Sequence, residues 1–260
     1  MDLPLSWHTD LAVLRLGGST VDEHADHLVV RTPANPVYHW GNFVLVTDPD
    51  AVGDARRWVD VFEREFPDAR HRSVGLVREP ADESPWTDLG LRVEHDDVLA
   101  TDSCPEVTPV PQGYLVRQLG TAVDWEQSTG LRTKAFPGEA EFERRTTEVR
   151  AAMADRDDVA WFGAFHGDRL AAELGIVDCG EGVARYQAVV TGEDHRRRGL
   201  AGHLLGVAAA WAADRGARRW VIVAEDGGDA SRLYRARGFE PADRGARAYL
   251  KPEPSEPEQG

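Results

Sequence analysis

The chain has 260 residues, 42% of them hydrophobic and 29% charged, which suits one large domain or two smaller ones around a real core. A formal net charge of -15 argues against a nucleic-acid-binding surface, and no apolar run reaches the roughly 20 residues that span a bilayer. MDLPLSWHTD lacks the basic stretch and apolar run of a secretory leader, and Cys104 and Cys179 stand too far apart for a metal cluster or a disulfide framework, so a cytoplasmic, metal-free protein is expected.

From the start of the chain, HLVVRT (27–32) and NFVLVT (42–47) read as strands. A helix over 51–66 is predicted, capped by Asp50, because Val52, Ala55, Val59, Phe62 and Phe66 recur on one face. SVGLV (73–77) is a further strand and REPADESPW (78–86) a surface loop. The aromatic stretch NPVYHWGNF (35–43) is rich for a loop and predicts packing between domains. SCPEVTPVPQG (103–113) carries three prolines and reads as a linker. The expected division is therefore a domain over 1–102, a linker over 103–112, a second domain over 113–251, and a polar, disordered tail over 252–260.

The second half begins with a strand at YLVRQLG (114–120). Thr121 then opens a helix with Asp124 in capping-box register. A helix over 139–153 is expected to bury Phe142, Thr146, Val149 and Met153. WFGAFH (161–166), RLAAELGIV (169–177) and ARYQAVVT (184–191) read as an antiparallel meander joined by short turns. A helix over 199–215 follows, burying Leu200, Leu204, Ala208 and Trp211. RWVIVAE (219–225) is a strand, 230–237 a short helix, and RAYL (247–250) a closing strand.

VVTGEDHRRRGLAGHLL joins a strand to an amphipathic helix through an arginine- and glycine-rich turn. Unpaired N–H groups at a helix start converge on one point, and the helix dipole adds partial positive charge there. Gly199, Ala201 and Gly202 allow close approach to that backbone, and Arg196, Arg197 and Arg198 add positive charge. Neither the dinucleotide fingerprint nor the Walker A pattern is present.

Arg196-x-x-Gly199-x-Ala201, followed by SRLYRARGFEP (231–241), resembles the two signature motifs of the GNAT superfamily of N-acyltransferases, over about the last 140 residues. The resemblance implies a mixed α/β fold of the α+β kind, with a mostly antiparallel sheet flanked by helices, and a smaller α/β module in front of it. It also implies acetyl-CoA as cosubstrate and direct attack by a primary amine. Val189, Val190 and Thr191 would line the pantetheine arm; the turn from Arg196 to Gly202, Leu200 included, would hold the pyrophosphate; an N–H near Val190 would polarise the thioester carbonyl. Tyr234 stands at the position of the family's general acid. The general base is open between Glu173, a water chain, and the lesser candidates His166 and His195. The family's motif glutamate is replaced by the run Tyr186-Gln187-Ala188, and GGDA (227–230) lacks the usual asparagine.

The resemblance leaves the amine unspecified, a small molecule or a peptide, with no nucleic-acid or membrane partner expected and a monomer or homodimer equally open. Residues 1–102 echo the later helix–strand order without the phosphate turn. They read either as a decayed repeat of the same fold or as an unrelated α/β module. The runner-up function is a non-catalytic acyl-CoA-binding or sensing protein.

Overall fold

The computed structural model describes residues 3–137, 140–225 and 228–251, so the tail expected over 252–260 and Gly227 of GGDA lie outside the described residues. The chain folds into two compact units. One comprises Met1–Pro4, Gly18–Asp96 and Arg244–Gly260, the other Leu5–Gly17 and Asp97–Asp243. This division differs from the linear one expected, because residues 5–17 join the second unit and the closing strand ends in the first.

The first helix, α1 (Leu5–Leu16), was not among the expected elements. Trp7, Leu11 and Leu14 are buried at i, i+4 and i+7, and Val13 and Leu16 pack with Val149 and Trp161 of the second unit. Thr9 is buried too, its hydroxyl accepting from Arg185 Nη1 at 2.7 Å, while Asp10 pairs with Arg185 Nη2 at 3.1 Å. The buried hydroxyls of Ser6 and Thr9 interrupt the apolar pattern that would have announced the helix.

In the first unit, β1 (Thr20–Glu23), β2 (His27–Arg31) and β3 (Phe43–Val46) form an antiparallel meander. Helix α2 (Ala55–Glu65) crosses to β4 (Arg72–Leu76), which pairs parallel with β3. The helix starts four residues later than expected: Ala51 and Asp54 close turns onto Asp48 and Ala51, and Asp50 does not cap it. Trp58, Phe62, Val46, Leu76 and Trp86 pack into this unit's core. Trp86, placed by its sequence in a surface loop, sits on the one-turn helix α3 (Ser84–Thr87) and is fully buried, its indole N–H donating to Val52 O at 3.2 Å. In the aromatic stretch, His39 and His71 stack at 4.1 Å and His39 Nδ1 meets the Tyr249 hydroxyl at 2.7 Å.

Strand β5 (Arg92–Thr101) straddles the division. The second unit continues with β6 (Tyr114–Gln118), then α4 (Ala122–Ala135) and α5 (Ala140–Met153). Helix α4 opens with the predicted capping box, Thr121 accepting from the Asp124 amide and Asp124 from the Thr121 amide. The Arg117 guanidinium beside Asp124 holds that carboxyl well below the usual carboxylate range. The buried face of α5 is turned by one residue from expectation: Glu143 and Thr147 lie deepest, with Met153, while Phe142, Thr146 and Val149 are half-buried. The reason is charge pairing, since Glu143 takes both Nε and Nη2 of the equally buried Arg132.

The expected meander follows as β7 (Val159–His166), β8 (Arg169–Asp178) and β9 (Val183–Thr191), and β6 extends it antiparallel to β7. Helix α6 (Leu200–Ala213) leads to β10 (Arg219–Glu225), parallel to β9, and α7 (Asp229–Arg235) precedes the final strand β11 (Glu240–Leu250). Within this unit the strands lie in the order β10-β9-β8-β7-β6. Alternation along β7 sorts the core: Ala160, Phe162 and Ala164 pack with α6, and Val159 and Trp161 with Met153 and Val149 of α5. Trp211 of α6, expected in that core, is half-buried beneath Arg215. Residues 244–250 of β11 belong to the first unit, where they pair antiparallel with β4.

Candidate functional site

Strands β9 and β10 pair only at their beginnings. Arg219, Trp220 and Val221 face Val183, Ala184 and Arg185, and no further pairing joins them among the described residues, although β9 runs on to Thr191 and β10 to Glu225. A cleft of about 710 Å³ is lined by Val189, Val190 and Thr191 at the free end of β9. The start of α6 supplies Gly199, Leu200, Ala201 and Gly202, and α7 supplies Leu233 and Tyr234.

The turn between β9 and α6 is built for an anion. Gly199 is the residue before the helix, with φ +84 and no side chain to cap the first N–H groups, which by helix geometry have no internal acceptor. Arg197 also adopts a left-handed conformation, φ 57, which throws the chain around the turn. The Arg196 side chain donates to the Thr191 carbonyl, at 3.3 Å, and lines the cleft with Arg197; Arg198 instead turns back to Asp194 O at 3.1 Å and does not line it.

Arg237 was not anticipated. Its guanidinium lies where a side chain at Gly202 would stand, with Nη2 only 2.0 Å from the position a Cβ would take. It therefore covers the first turn of α6, and it lines both the large cleft and a neighbouring cavity of about 330 Å³. Its position inside LYRARGF was legible, but its reach across to Gly202, 35 positions earlier, was not. Among the described residues, no ion pair joins Arg196, Arg197 or Arg237 to a carboxylate, although the protein carries 45 acidic side chains. Residues 103–112 form no helix or strand but lie against α6, the Thr108 carbonyl meeting His203 Nδ1 at 2.5 Å.

Tyr234 reaches the cleft from α7, which is held by two contacts to Asp97: Ser231 Oγ donates at 2.7 Å and Arg235 Nη2 at 3.0 Å. The tyrosine is 4% exposed, and burial pushes its hydroxyl up to about 12, so it is protonated at neutral pH. Glu173 is placed elsewhere. It stands on β8 opposite Val190, is 3% exposed, and does not line the cleft. Its Oε1 lies 3.8 Å from Arg132 Nη1, and burial pushes its carboxyl up. His195 lines the cleft beside the turn, its Nδ1 2.7 Å from the Tyr114 hydroxyl, whereas His166 does not line it.

Between Glu173 and Gly175 the β8–β9 register slips, from Glu173↔Val190 to Gly175↔Gln187, so β9 carries one extra residue. Ala188 at this bulge has φ 54, a left-handed conformation for a residue with a Cβ. The bulge lies immediately before the cleft-lining Val189 and Val190.

Residues 125–239 match the sequence profile described as the Acetyltransferase (GNAT) family. No curated protein matches the chain by sequence. Among solved structures, it is similar to a GCN5-related N-acetyltransferase from Kribbella flavida at 17% identity, covering 95% of this chain and 96% of that one with a TM-score of 0.71. A GCN5-related N-acetyltransferase from Sphaerobacter thermophilus is 18% identical over 97% of this chain and 95% of that one, TM-score 0.62. A tandem GNAT protein from the clavulanic acid biosynthesis pathway is 15% identical over 97% of both chains, TM-score 0.55. At these identities the likeness is one of fold. It extends over both units.

Proposed function

We propose, from the match of residues 125–239 to the acetyltransferase (GNAT) family profile, that the protein moves an acetyl group from acetyl-CoA to a primary amine by direct attack. One observation carries the reading: the parted end of β9 leads through a turn to an uncapped helix start flanked by three arginines that, among the described residues, have no carboxylate partner. In a protein of net charge -15, such a spot favours a polyanion strongly over the bulk surface. Backbone N–H groups from Arg197 to Gly202 would hold the pyrophosphate, with Arg196 and Arg237 closing over it. The free backbone edge of Val189 to Thr191 would pair with the amide-bearing pantetheine arm as an added strand does.

In the chemical step the amine nitrogen bonds to the thioester carbonyl carbon, the C–S bond breaks, and the sulfur leaves as a thiolate. Tyr234 supplies the proton that this thiolate takes, a role its protonated state and its place in the cleft support. The ammonium proton leaves to a base that the cleft does not supply from Glu173, so transfer through water at the open side is the reading kept. The amine itself, small molecule or peptide, is set by loops outside the two motifs.

The placement of Glu173 favours a second reading, a non-catalytic acyl-CoA sensor on the same scaffold. A panel of amines incubated with acetyl-CoA, with free thiol measured, separates the two. Release of CoA with at least one amine supports the enzyme. Tight binding of acetyl-CoA with no release across polyamines, amino sugars and peptide N-termini would leave the sensor.

The first unit we read as a decayed repeat of the second. Its order of meander, helix and parallel strand matches β8-β9-α6-β10, which supports descent from a duplicated unit rather than from an unrelated module.

A further inference from the structure

Arg132 and Glu143 form an ion pair that is 6% and 2% exposed, on α4 and α5 respectively. Withdrawing two such charges from water is costly, and well-packed apolar residues generally serve stability at least as well. The pair therefore calls for a reason beyond stability. Its geometry supplies one: Nε and Nη2 grip the two Glu143 oxygens at 2.5 and 3.2 Å, which fixes the guanidinium plane and aims Nη1 at the carbonyl of Ala188, 3.2 Å away. That carbonyl belongs to the left-handed residue of the β9 bulge, where the register slip leaves one residue without a partner across the ladder.

We infer that Arg132 is a positioning residue: oriented by Glu143, it pins the Ala188 carbonyl and so holds the bulge that presents the main chain of Val189 and Val190 to the acyl end of the donor. The inference rests on the acyl-CoA reading of the cleft. A left-handed alanine is strained, so without the pin the strand gains by relaxing toward regular pairing with β8. Regular pairing would shift the residues beyond the bulge by one place and reverse which face of the strand they show. The phosphate turn, several residues further on and fixed by its own helix, would keep its grip on the pyrophosphate. Loss of Arg132 thus separates two things that a purely structural role would change together: holding the donor and polarising its carbonyl.

The test uses the full chain and three variants, Arg132→Met, Arg132→Met/Glu143→Met and Arg132→Lys. The double variant removes both charges of the pair at once, so Glu143 is not left buried and unpaired as it is in the single one. Lysine keeps the charge but, as a point cation, cannot grip both Glu143 oxygens and reach Ala188 together. Affinity for CoA is measured by calorimetry, and the thioester carbonyl stretch of bound ¹³C-acetyl-CoA by isotope-edited infrared spectroscopy. The wild type is expected to move that band to lower wavenumber. The double variant should bind CoA within about threefold of wild type while the band returns to its solution position. A double variant that keeps the wild-type band overturns the inference, as does a wild type whose band never shifts. If the double variant does not fold, the band in Arg132→Lys decides in the same way. A wild type that binds neither CoA nor acetyl-CoA overturns the reading of the cleft along with it, which distinguishes the two failures.

Discussion

The two units contain the same local device, a strand, a helix and a parallel strand, and differ in whether the paired strands stay together. In the first, β3 pairs with β4 along Val44, Leu45 and Val46, to its last residue, and the amide of Val77 still reaches Val46 O. Two buried indoles cap the chain beyond: Trp58 donates to Ala51 O and Trp86 to Val52 O. In the second, β9 outruns its pairing with β10 by six residues, and the chain turns through Gly199 into an uncapped helix. The same topology thus yields a closed core when tryptophans take the turn's carbonyls and an open cleft when glycine and arginine stand there. On the proposed reading, binding capacity resides in a few side chains at one turn rather than in the strand order.

The sharpest break of the comparison is chemical. Tyr234→Phe keeps the ring and removes the proton donor, so turnover should fall by roughly 10²–10⁴-fold while CoA affinity hardly moves. Measured with an active amine, or as acetyl-CoA hydrolysis when none is found, equal rates in the two proteins would end the acid assignment. Trp86→Ala acts on the closed side. It should cost about 3–5 kcal/mol of stability in denaturant titration without creating a second CoA site by calorimetry. Two CoA molecules per chain in that variant would mean that the tryptophan had been plugging a working site.

A matched pair of charge insertions compares the turns directly. Gly199→Glu places a carboxylate against the helix start and should weaken CoA binding well over tenfold, more than about 1.4 kcal/mol. Gly53→Glu, in the corresponding turn of the first unit and with nothing within 4 Å, should leave affinity unchanged. Equal effects from both would remove the distinction between the units. Arg237→Gln is the milder test. Losing one charge-assisted contact should weaken CoA about tenfold, and less at high salt.

The smallest effect is pH-dependent. Burial pushes His39 down to about 4, with His71 and Lys251 contributing, and burial pushes the stacked His71 down as well. Both are neutral when folded and titrate near 6.5 when unfolded, so the stability they carry is complete above about pH 6.5 and fades as the pH falls toward 4. His39→Gln should flatten that decline in urea midpoints; a slope identical to wild type would show that acid acts elsewhere.

What could be read from the residues followed from locality. The capping box at Thr121 and Asp124, the meander and the turn at Arg196–Gly199 are contained in a few consecutive positions, and each was legible before folding. Helix α1 was not, since Thr9 is buried only because Arg185, 176 positions on, donates to it. Glu143 faces inward for the same kind of reason, its partner Arg132 lying on another helix. That Val189, Val190 and Thr191 line a cleft follows from a local strand-and-turn pattern, whereas the places of Arg237 and Glu173 depend on how β8, β9 and α7 are placed in space.

The interleaving of the two units has a consequence for the order in which a ribosome can complete them. Strand β4 emerges early, yet its partner residues 246–250 appear only after all of Asp97–Asp243 has been made. Helix α1 emerges before every other element, and the strand carrying Arg185, to which it is tied, arrives some 170 residues later. The first unit therefore cannot close until the second has been made, and the second must wait for the intervening Gly18–Asp96. Vectorial folding from the amino terminus, the usual advantage of a two-unit chain, is forgone, and the nascent protein carries an unsatisfied strand edge on β4 for most of its translation.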